Sequence, residues 1–419
     1  MAEQGSTGEV PEAIGFVEGA EPGSMGDSRR GPEANEFGEG AEPIRNLQII
    51  TSPGVGGREI VAPVLARALA SQGHPTWLMC RPGTLVERLG REWGLRVSTT
   101  GLSGYCDPIQ VWNLARFLRN QRIQIIHSHW SKDLSNVILA SGLAGRIPVV
   151  LTKHVYATDN KHDPFHAWVA RHTDIFIGVS RLVSDNVIAT LRVPREKVVT
   201  VYNGIDLAHW NPNQAGLRDL HADLGVPDGK PILGYAGRIN HGKGPHLILE
   251  AFAGLAGDFP EWHLVLAGKP VGADEETYAL ALRERAKVLG LDSRVHFPGY
   301  RPDMPEVMRT FEIFACASAF ESLGMVLVEA MAMERAVVGP NTGGVPEIIE
   351  SGVNGLLFRY PEVADLKNKL AWLMRNPGER KRLGRAGRET VVLKFDLDGM
   401  ARQVVGIFKH VLGKGSKVV

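Results

Sequence analysis

The sequence predicts an α/β protein built from two successive parallel-sheet domains, on three observations. Near Leu47 an apolar strand pattern runs through a glycine-rich turn into a helical pattern and then a second strand. The same order restarts at Pro231, after a polar stretch from Leu207 to Lys230 that holds Pro212, Gly216, Gly225, Pro227 and Gly229. The chain has 419 residues, 44% hydrophobic and 22% charged, an ordinary globular composition at a length that one core rarely serves. Strands alternating with helices give parallel sheets, and such sheets bind ligands at the carboxyl ends of their strands.

Residues 1–44 are expected to be a disordered acidic tail. They carry ten acidic residues against Arg29 and Arg30, with much Gly and Pro and no helix or strand period. Removing that net −8 from the formal net charge of +1 leaves the remainder near +9, with its bases dispersed. The balance suits an anionic substrate and gives no reason to expect nucleic acid. The tail lacks the basic start and apolar run of a signal peptide, and nowhere do about 18 apolar residues follow one another without interruption. Cys80, Cys106 and Cys316 stand apart, as reduced cysteines of a cytoplasmic protein do.

The first domain, placed at 45–210, opens with a strand from Leu47 to Thr51 that runs into SPGVGGREI. Gly54, Gly56 and Gly57 let a ligand approach the backbone where a helix begins. The order G-x-G-G and a second strand ending in Met79 and Cys80 argue against a nicotinamide dinucleotide site, which needs G-x-G-x-x-G and an acid. Further strands are expected at Val97–Thr99, Ile123–His127, Val149–Thr152, Ile175–Val179 and Lys197–Val201. His127, His129, His154, Ser180, Asn203 and Asp206 gather at their carboxyl ends. His154, close behind a strand, is the histidine placed to bond a sugar hydroxyl or stabilise charge; a satisfied loop histidine is the alternative. His127 and His129 read as structural or as shaping the acceptor side, and no third ligand stands at a zinc interval.

The second domain, placed at 211–393, begins with the strand Ile232–Ala236, which empties into GRINHGKG. There Arg238 supplies a planar fork and Lys243 a mobile ammonium, a chemically sensible pair of diphosphate clamps. Gly299, Tyr300 and Arg301 follow a later strand, where a ring or guanidinium could flank a base. The stretch ESLGMVLVEAMA sets Glu321 before a helix expected to start near Leu323 or Gly324, with Met325 in its first turn and Glu329 within it. Six residues of helix rise about 9 Å, roughly the span from phosphates to ribose. A diphosphate could rest on the first amides while Glu329 accepted ribose hydroxyls and Glu321 lay beside the group on the outer phosphate. The plainer reading is a core helix with a loop glutamate, which the apolar neighbours of Glu329 oppose because a buried carboxylate needs a partner. Gly343, Gly344 and Glu347 are expected to begin another helix. An amphipathic stretch inside 394–413 is expected to cross back to the first domain.

In this order GxGG, IIHSH, NGID, GRxxxxKG, ESLGMVLVEAMA and GGVPEII resemble the retaining nucleotide-sugar glycosyltransferases of the fourth family, over nearly all of 45–413. The resemblance implies the GT-B fold, two facing Rossmann-like domains with a nucleotide-sugar cleft between them, and no bound metal. It implies Arg238 and Lys243 as diphosphate clamps, Glu329 as ribose ligand, Glu321 as the acid near the donor sugar and His154 as its facing histidine. It makes Gly56 and Gly57 the turn over the phosphates. Glu334 and Ala336 depart from the Gly and Pro common there.

No cofactor is expected beyond a nucleoside diphosphate sugar as co-substrate, with a UDP-sugar preferred. The expected reaction is retaining transfer of a hexosyl group to a hydroxyl of a glycan, lipid-linked or small-molecule acceptor. A glycoside hydrolase or phosphorylase and an inactive nucleotide-binding scaffold are the alternatives. A hydrolase needs carboxyl groups about 5 Å apart and has no use for Arg238 and Lys243. The acceptor belongs to the first domain, around the 54–59 loop, Tyr105–Gln110 and His129–Lys132. Arg81, Arg88, Arg91 and Arg96, with Trp77 and Trp93, mark either a face for anionic lipid headgroups or the solvated side of a helix.

Overall fold

The computed structural model describes residues 42–415 apart from 55, 103 and 105. The expected disordered tail therefore lies outside the described residues except at its end, where Ile44 is not tail at all but 5% exposed and packed in a core.

The first domain runs β1 (Asn46–Ile50), α1 (Gly57–Ser71), β2 (Thr76–Cys80), α2 (Leu85–Glu92), β3 (Arg96–Thr99), α3 (Pro108–Asn120), β4 (Ile125–Ser128), α4 (Leu134–Leu143), β5 (Val149–Lys153), α5 (Pro164–His172), β6 (Ile175–Gly178), α6 (Arg181–Leu191) and β7 (Val198–Thr200). Its strands form one parallel sheet, in the order β3-β2-β1-β4-β5-β6-β7. The second runs β8 (Ile232–Ala236), α7 (Pro245–Ala253), β9 (His263–Ala267), α8 (Ala273–Val288), β10 (Val295–Gly299), α9 (Met304–Thr310), β11 (Ile313–Ala315), α10 (Met325–Ala332), β12 (Ala336–Pro340), β13 (Leu356–Phe358), α11 (Val363–Arg375) and α12 (Pro377–Lys394). Its parallel sheet has the order β10-β9-β8-β11-β12-β13. Central strands such as β1, β8 and β9 are buried along their whole length, because helices cover both faces of a parallel sheet.

Strand order reverses between β1 and β4 in one sheet and between β8 and β11 in the other. A crevice opens beyond the strand ends at each reversal, so the loops after these four strands are the ones that can hold a ligand. They include the 51–56 turn, His129, the Arg238–Lys243 loop and the Glu321 loop.

A last helix, α13 (Leu397–Gly415), returns to the first sheet. Its buried Met400, Ala401, Val404, Phe408 and Val411 pack with Leu65, Leu69, Ile125, Val150 and Ile177. The two chain crossings between the domains run side by side: Ile205 N donates to Phe395 O at 2.8 Å and Leu397 N to Ile205 O at 3.0 Å. Gly204 permits this, since a Cβ there would lie 2.6 Å from Leu397 Cα.

Several local expectations are corrected. α10 starts at Met325, with Gly324 outside it at φ +106°. After Gly344 the chain makes only a 3-10 turn, Val345–Glu347. The polar stretch before Pro231, expected as a linker plus a short element, does hold a 3-10 turn at Ala222–Leu224, with Leu220, Leu224 and Val226 buried in the second domain's core. Trp77 is only 6% exposed, with Arg45 and Arg96 over its ring, and Arg91 pairs with Glu87 one turn away on α2. Trp77 is thus a covered tryptophan between a loop arginine and one on β3. Among the described residues no helix is long and apolar enough to cross a membrane.

Gly343 and Gly344 press on the backbone of the Glu321 loop: Gly344 N donates to Glu321 O at 2.8 Å, and a Cβ on Gly344 would stand 2.4 Å from Ser322 O. Gly344 has φ −83°, a value any residue adopts, so its need for glycine is purely one of contact. Gly344→Ala should destabilise the chain by about 1–3 kcal/mol through overpacking, measured as a lower thermal midpoint; an unchanged midpoint would show that the contact is not tight.

Candidate active site between the two sheets

The second domain's wall is assembled by backbone contacts that aim two cations. Tyr235, buried in β8, donates its hydroxyl to Arg238 O at 2.7 Å and holds the loop at the strand end. Asn240 Oδ1 accepts from Lys243 N at 2.9 Å and starts a 3-10 turn. Ala319 N donates to Gly242 O at 2.9 Å, which ties that turn to the loop after β11. Lys243 is thereby delivered to Glu321, with Nζ 2.6 Å from Oε1. Arg238 points the other way in the same loop, its Nε 2.7 Å from Glu275 Oε2. Burial alone would raise the Glu275 carboxyl, but bonds from Arg238, Val271 N and Asn240 hold it below its ordinary value. Glu275 escaped the sequence reading because α8 looks like any charged helix and its partner lies 37 positions away.

Behind Glu321 the chain turns through buried Leu323 and Gly324 into α10, with Met325 half-buried in its first turn. Glu329 sits in the next turn, and its carboxyl has no hydrogen-bond or ion-pair partner among the described residues. Burial pushes that carboxyl up to about 8. Tyr300 is exposed, with Lys269 Nζ 5.4 Å from its ring centre. Arg301 is otherwise engaged: it forms a two-point pair with Asp303, Nε to Oδ1 at 2.8 Å, and is largely buried there.

In the first domain, Gly56 caps α1 in an extended conformation at φ −157° and a Cβ on Gly57 would meet nothing within 4 Å. Chain geometry therefore leaves open space at Gly57. Inside the turn Glu59 is buried, bonded by Ser52 Oγ at 2.6 Å and Arg58 Nε at 2.8 Å. Lys153 ends β5 with Nζ 3.0 Å from Ser131 Oγ, and burial pushes its ammonium down to about 8. Neither Glu59 nor Lys153 was singled out from sequence, although a charged residue at the end of an apolar strand was a usable signal.

His154 stands at the end of a polar relay that fixes its tautomer. Asn46 Nδ2 faces the carbonyls of Ile44 and Pro75 and the Thr76 hydroxyl, whose own proton goes to His74 O, so it must be the donor. Asn46 Oδ1 then accepts from Gln48 Nε2 at 2.8 Å. Gln48 Oε1 is left facing His129 Nε2 at 2.9 Å, and that nitrogen must carry a proton. Burial pushes His129 down to about 3, so it is neutral and its Nδ1 is a bare acceptor, 3.2 Å from His154 Nε2. His154 therefore donates through Nε2. Its Nδ1, buried and without a hydrogen-bond partner, presents a lone pair. Burial, then His129, Arg58 and Lys153, hold His154 well below its ordinary value, so it accepts hydrogen bonds and carries no charge.

The two walls touch. Ser180 Oγ donates to Ser322 O at 2.6 Å, Tyr156 N to Ser322 Oγ at 3.2 Å, and the Tyr156 and Phe320 rings lie 5.1 Å apart. Glu347 accepts from Arg181 N at 2.7 Å and Leu182 N at 2.9 Å at the start of α6, and from Tyr202 OH at 2.9 Å. The structure thus brings Lys243, Glu321, the start of α10 and the His154 segment to one cleft. It holds Arg238 at the same strand edge on Glu275 and Arg301 on Asp303. Tyr105 lies outside the described residues. Among the described residues no group of three His, Cys, Asp or Glu is arranged to hold a metal ion.

Residues 55–209 match the family model "Glycosyltransferase Family 4" and residues 218–390 match "Glycosyl transferases group 1". The chain is 32% identical over 321 residues to an alpha-maltose-1-phosphate synthase of Mycolicibacterium smegmatis, covering 68% of this chain and 79% of that protein. It is 26% identical over 369 residues to the lipopolysaccharide core biosynthesis mannosyltransferase LpcC of Rhizobium leguminosarum bv. viciae, covering 86% and 99%. In fold it is similar to a glycosyltransferase from Rickettsia africae, with TM-score 0.80, 20% identity and coverage of 89% and 99%. It is also similar to Anabaena Alr3699/HepE, solved in complex with UDP-glucose, with TM-score 0.72, 23% identity and coverage of 87% and 99%.

The relay and the lone carboxyl each have a measurable signature. Nitrogen NMR of the histidine rings should find His129 and His154 neutral and protonated on Nε2 throughout pH 5–8; an Nδ1 proton on His154 would break the relay. Glu329 binds its proton more tightly folded than unfolded, so its contribution to stability is complete below about pH 4.5 and lost as pH rises toward 8. Glu329→Gln should thus stabilise the ligand-free chain by about 1–3 kcal/mol at pH 8.5 and by little at pH 5, read as the thermal midpoint; equal effects at both pH values would contradict the shift.

Proposed function

The chain belongs to the glycosyl transferases group 1 family and has the two-domain GT-B fold, and from that premise we propose that it is a retaining, metal-independent hexosyltransferase using a nucleoside diphosphate sugar. The observation that carries this reading is the joining of Lys243 to Glu321 at the start of α10, with Arg238 in the same loop and the partnerless Glu329 one turn further on. Two cations and a helix start suit a diphosphate, and a carboxyl at that remove suits ribose.

The chemistry follows from where charge develops. Breaking the sugar–phosphate bond leaves negative charge on the diphosphate, and Arg238, Lys243 and the α10 amides stabilise it more in the transition state than before. Glu321, paired with Lys243, lies beside the sugar. His154 Nδ1 accepts a hydrogen bond from a hydroxyl of that sugar, with no proton transferred, which orients the ring without adding charge. The acceptor hydroxyl attacks from the face that the phosphate leaves, and a phosphate oxygen takes its proton, so the configuration is retained. A UDP-sugar is the preferred donor, which the UDP-glucose complex of the Anabaena neighbour supports. The acceptor is a carbohydrate or lipid-linked hydroxyl and the reaction is cytoplasmic, with any membrane contact peripheral.

Calorimetry with UDP-, GDP- and ADP-sugars should detect binding that survives EDTA; binding abolished by EDTA would end the metal-independent reading. Arg238→Ala should lower kcat about 100-fold, on the order of 3 kcal/mol, whereas Glu329→Ala should mainly weaken donor binding. A change confined to the donor KM in Arg238→Ala would reverse that division. NMR of the product should show the donor's anomeric configuration, and an inverted product would refute retention.

A further inference from the structure

We propose that a pocket at the carboxyl edge of the first sheet is an anion site for the acceptor, and that the acceptor is a hydroxyl compound bearing a phosphate monoester or diester. This rests on the transferase reading above and names the substrate class that the reading leaves open. The pocket holds about 230 Å³ and is lined by Thr51, Arg81, Leu102, Trp130, Lys132 and Asp133. It lies where the strand order of the first sheet reverses, beyond β1 and β4. Its volume is below the roughly 300–1,000 Å³ of pockets for drug-sized ligands, which suits one headgroup or sugar phosphate.

The charge in this pocket is only partly balanced by the chain. Neither Arg81 nor Lys132 has a carboxylate within ion-pair distance among the described residues. Arg81 commits Nη2 to Leu102 O at 3.2 Å, which leaves most of its fork available, and Lys132 Nζ lies 5.5 Å from the Trp130 ring centre. Asp133, the acid in the lining, sets one negative charge against these two cations, and both its oxygens are engaged by Thr51, one by the amide at 3.0 Å and the other by the hydroxyl. Burial raises its carboxyl to about 6, while the Thr51 bonds and the charges of Arg81 and Arg58 pull it down. Lys153 adds a third cation nearby, bonded to Ser131 between Trp130 and Lys132.

Arginine grips a phosphate through two parallel N–H bonds and lysine adds a point charge, so the pair matches a phosphate far better than a neutral hydroxyl. The site is also within reach of the chemistry. Lys153 is followed directly by His154, and Arg58 acts electrostatically on both of them and on Asp133. A phosphate held by Arg81 and Lys132 would place the rest of the acceptor toward the His154 side of the cleft.

The test is calorimetry on the UDP-loaded chain with glucose, mannose and inositol, each paired with its phosphate monoester, and with phosphatidylinositol vesicles against phosphatidylcholine vesicles. At least one phosphate form should bind roughly 10- to 100-fold more tightly than its neutral partner. Arg81→Gln and the solvent-exposed Lys132→Gln should each remove most of that preference while UDP still binds, which reports that the variant is folded. A preference among soluble monoesters assigns a sugar phosphate, and one found with phosphatidylinositol alone assigns a lipid-borne phosphate. If UDP binds but no phosphate form is preferred, or if the preference survives both substitutions, this inference falls and the transferase reading stands. If UDP does not bind at all, the transferase reading falls with it.

Discussion

The backbone of residues 319–323 is held from two sides, and the candidate site depends on that grip. On one side Ala319 N bonds to Gly242 O, and on the other Gly344 N bonds to Glu321 O. Gly343 and Gly344 lie so close that a side chain on either would enter the loop backbone. A loop fixed in this way presents Glu321 to Lys243, opens α10 at Met325 and brings Ser322 to the other domain. The loop backbone that carries these groups is fixed before any ligand arrives, which favours charge stabilisation with little reorganisation.

The same loop is where the domains meet. Ser322 bonds to both Tyr156 and Ser180, and Glu347, just past the glycine pair, places its carboxylate on the first amides of α6. An anionic group at a helix start is favourable, so the second domain grips the first by the same physics that it would use on a diphosphate. The paired crossings at Ile205 and Phe395, with α13 packed on the first sheet, join the domains a second time, next to Glu347 through Tyr202.

Much of this was legible in the sequence, for identifiable reasons. Arg238 and Lys243 stand in a glycine-framed loop directly after an apolar strand, so their place at a sheet edge followed from local pattern. Glu329 betrayed itself as a carboxylate among apolar neighbours. What stayed hidden depends on distant pairing. Glu275 receives Arg238 from 37 positions away, and the proton on His154 is decided by Gln48 through His129, 81 positions away. Glycines 343 and 344 were read as a helix start, because periodicity does not show that their bare backbone is needed against Glu321. Helix α11 was overlooked although Leu366, Leu370, Leu373 and Met374 carry a buried helical stripe.

The central claim is that a nucleoside diphosphate lies between the Arg238–Lys243 loop and the start of α10. A crystal structure of the chain with UDP, grown without added metal, tests it most directly. The account predicts diphosphate oxygens within hydrogen-bond distance of Arg238 and Lys243, ribose hydroxyls on Glu329, and a longer separation than the 2.6 Å now joining Lys243 to Glu321. UDP seated instead against the Gly54–Gly57 turn, or with its ribose away from Glu329, would contradict it.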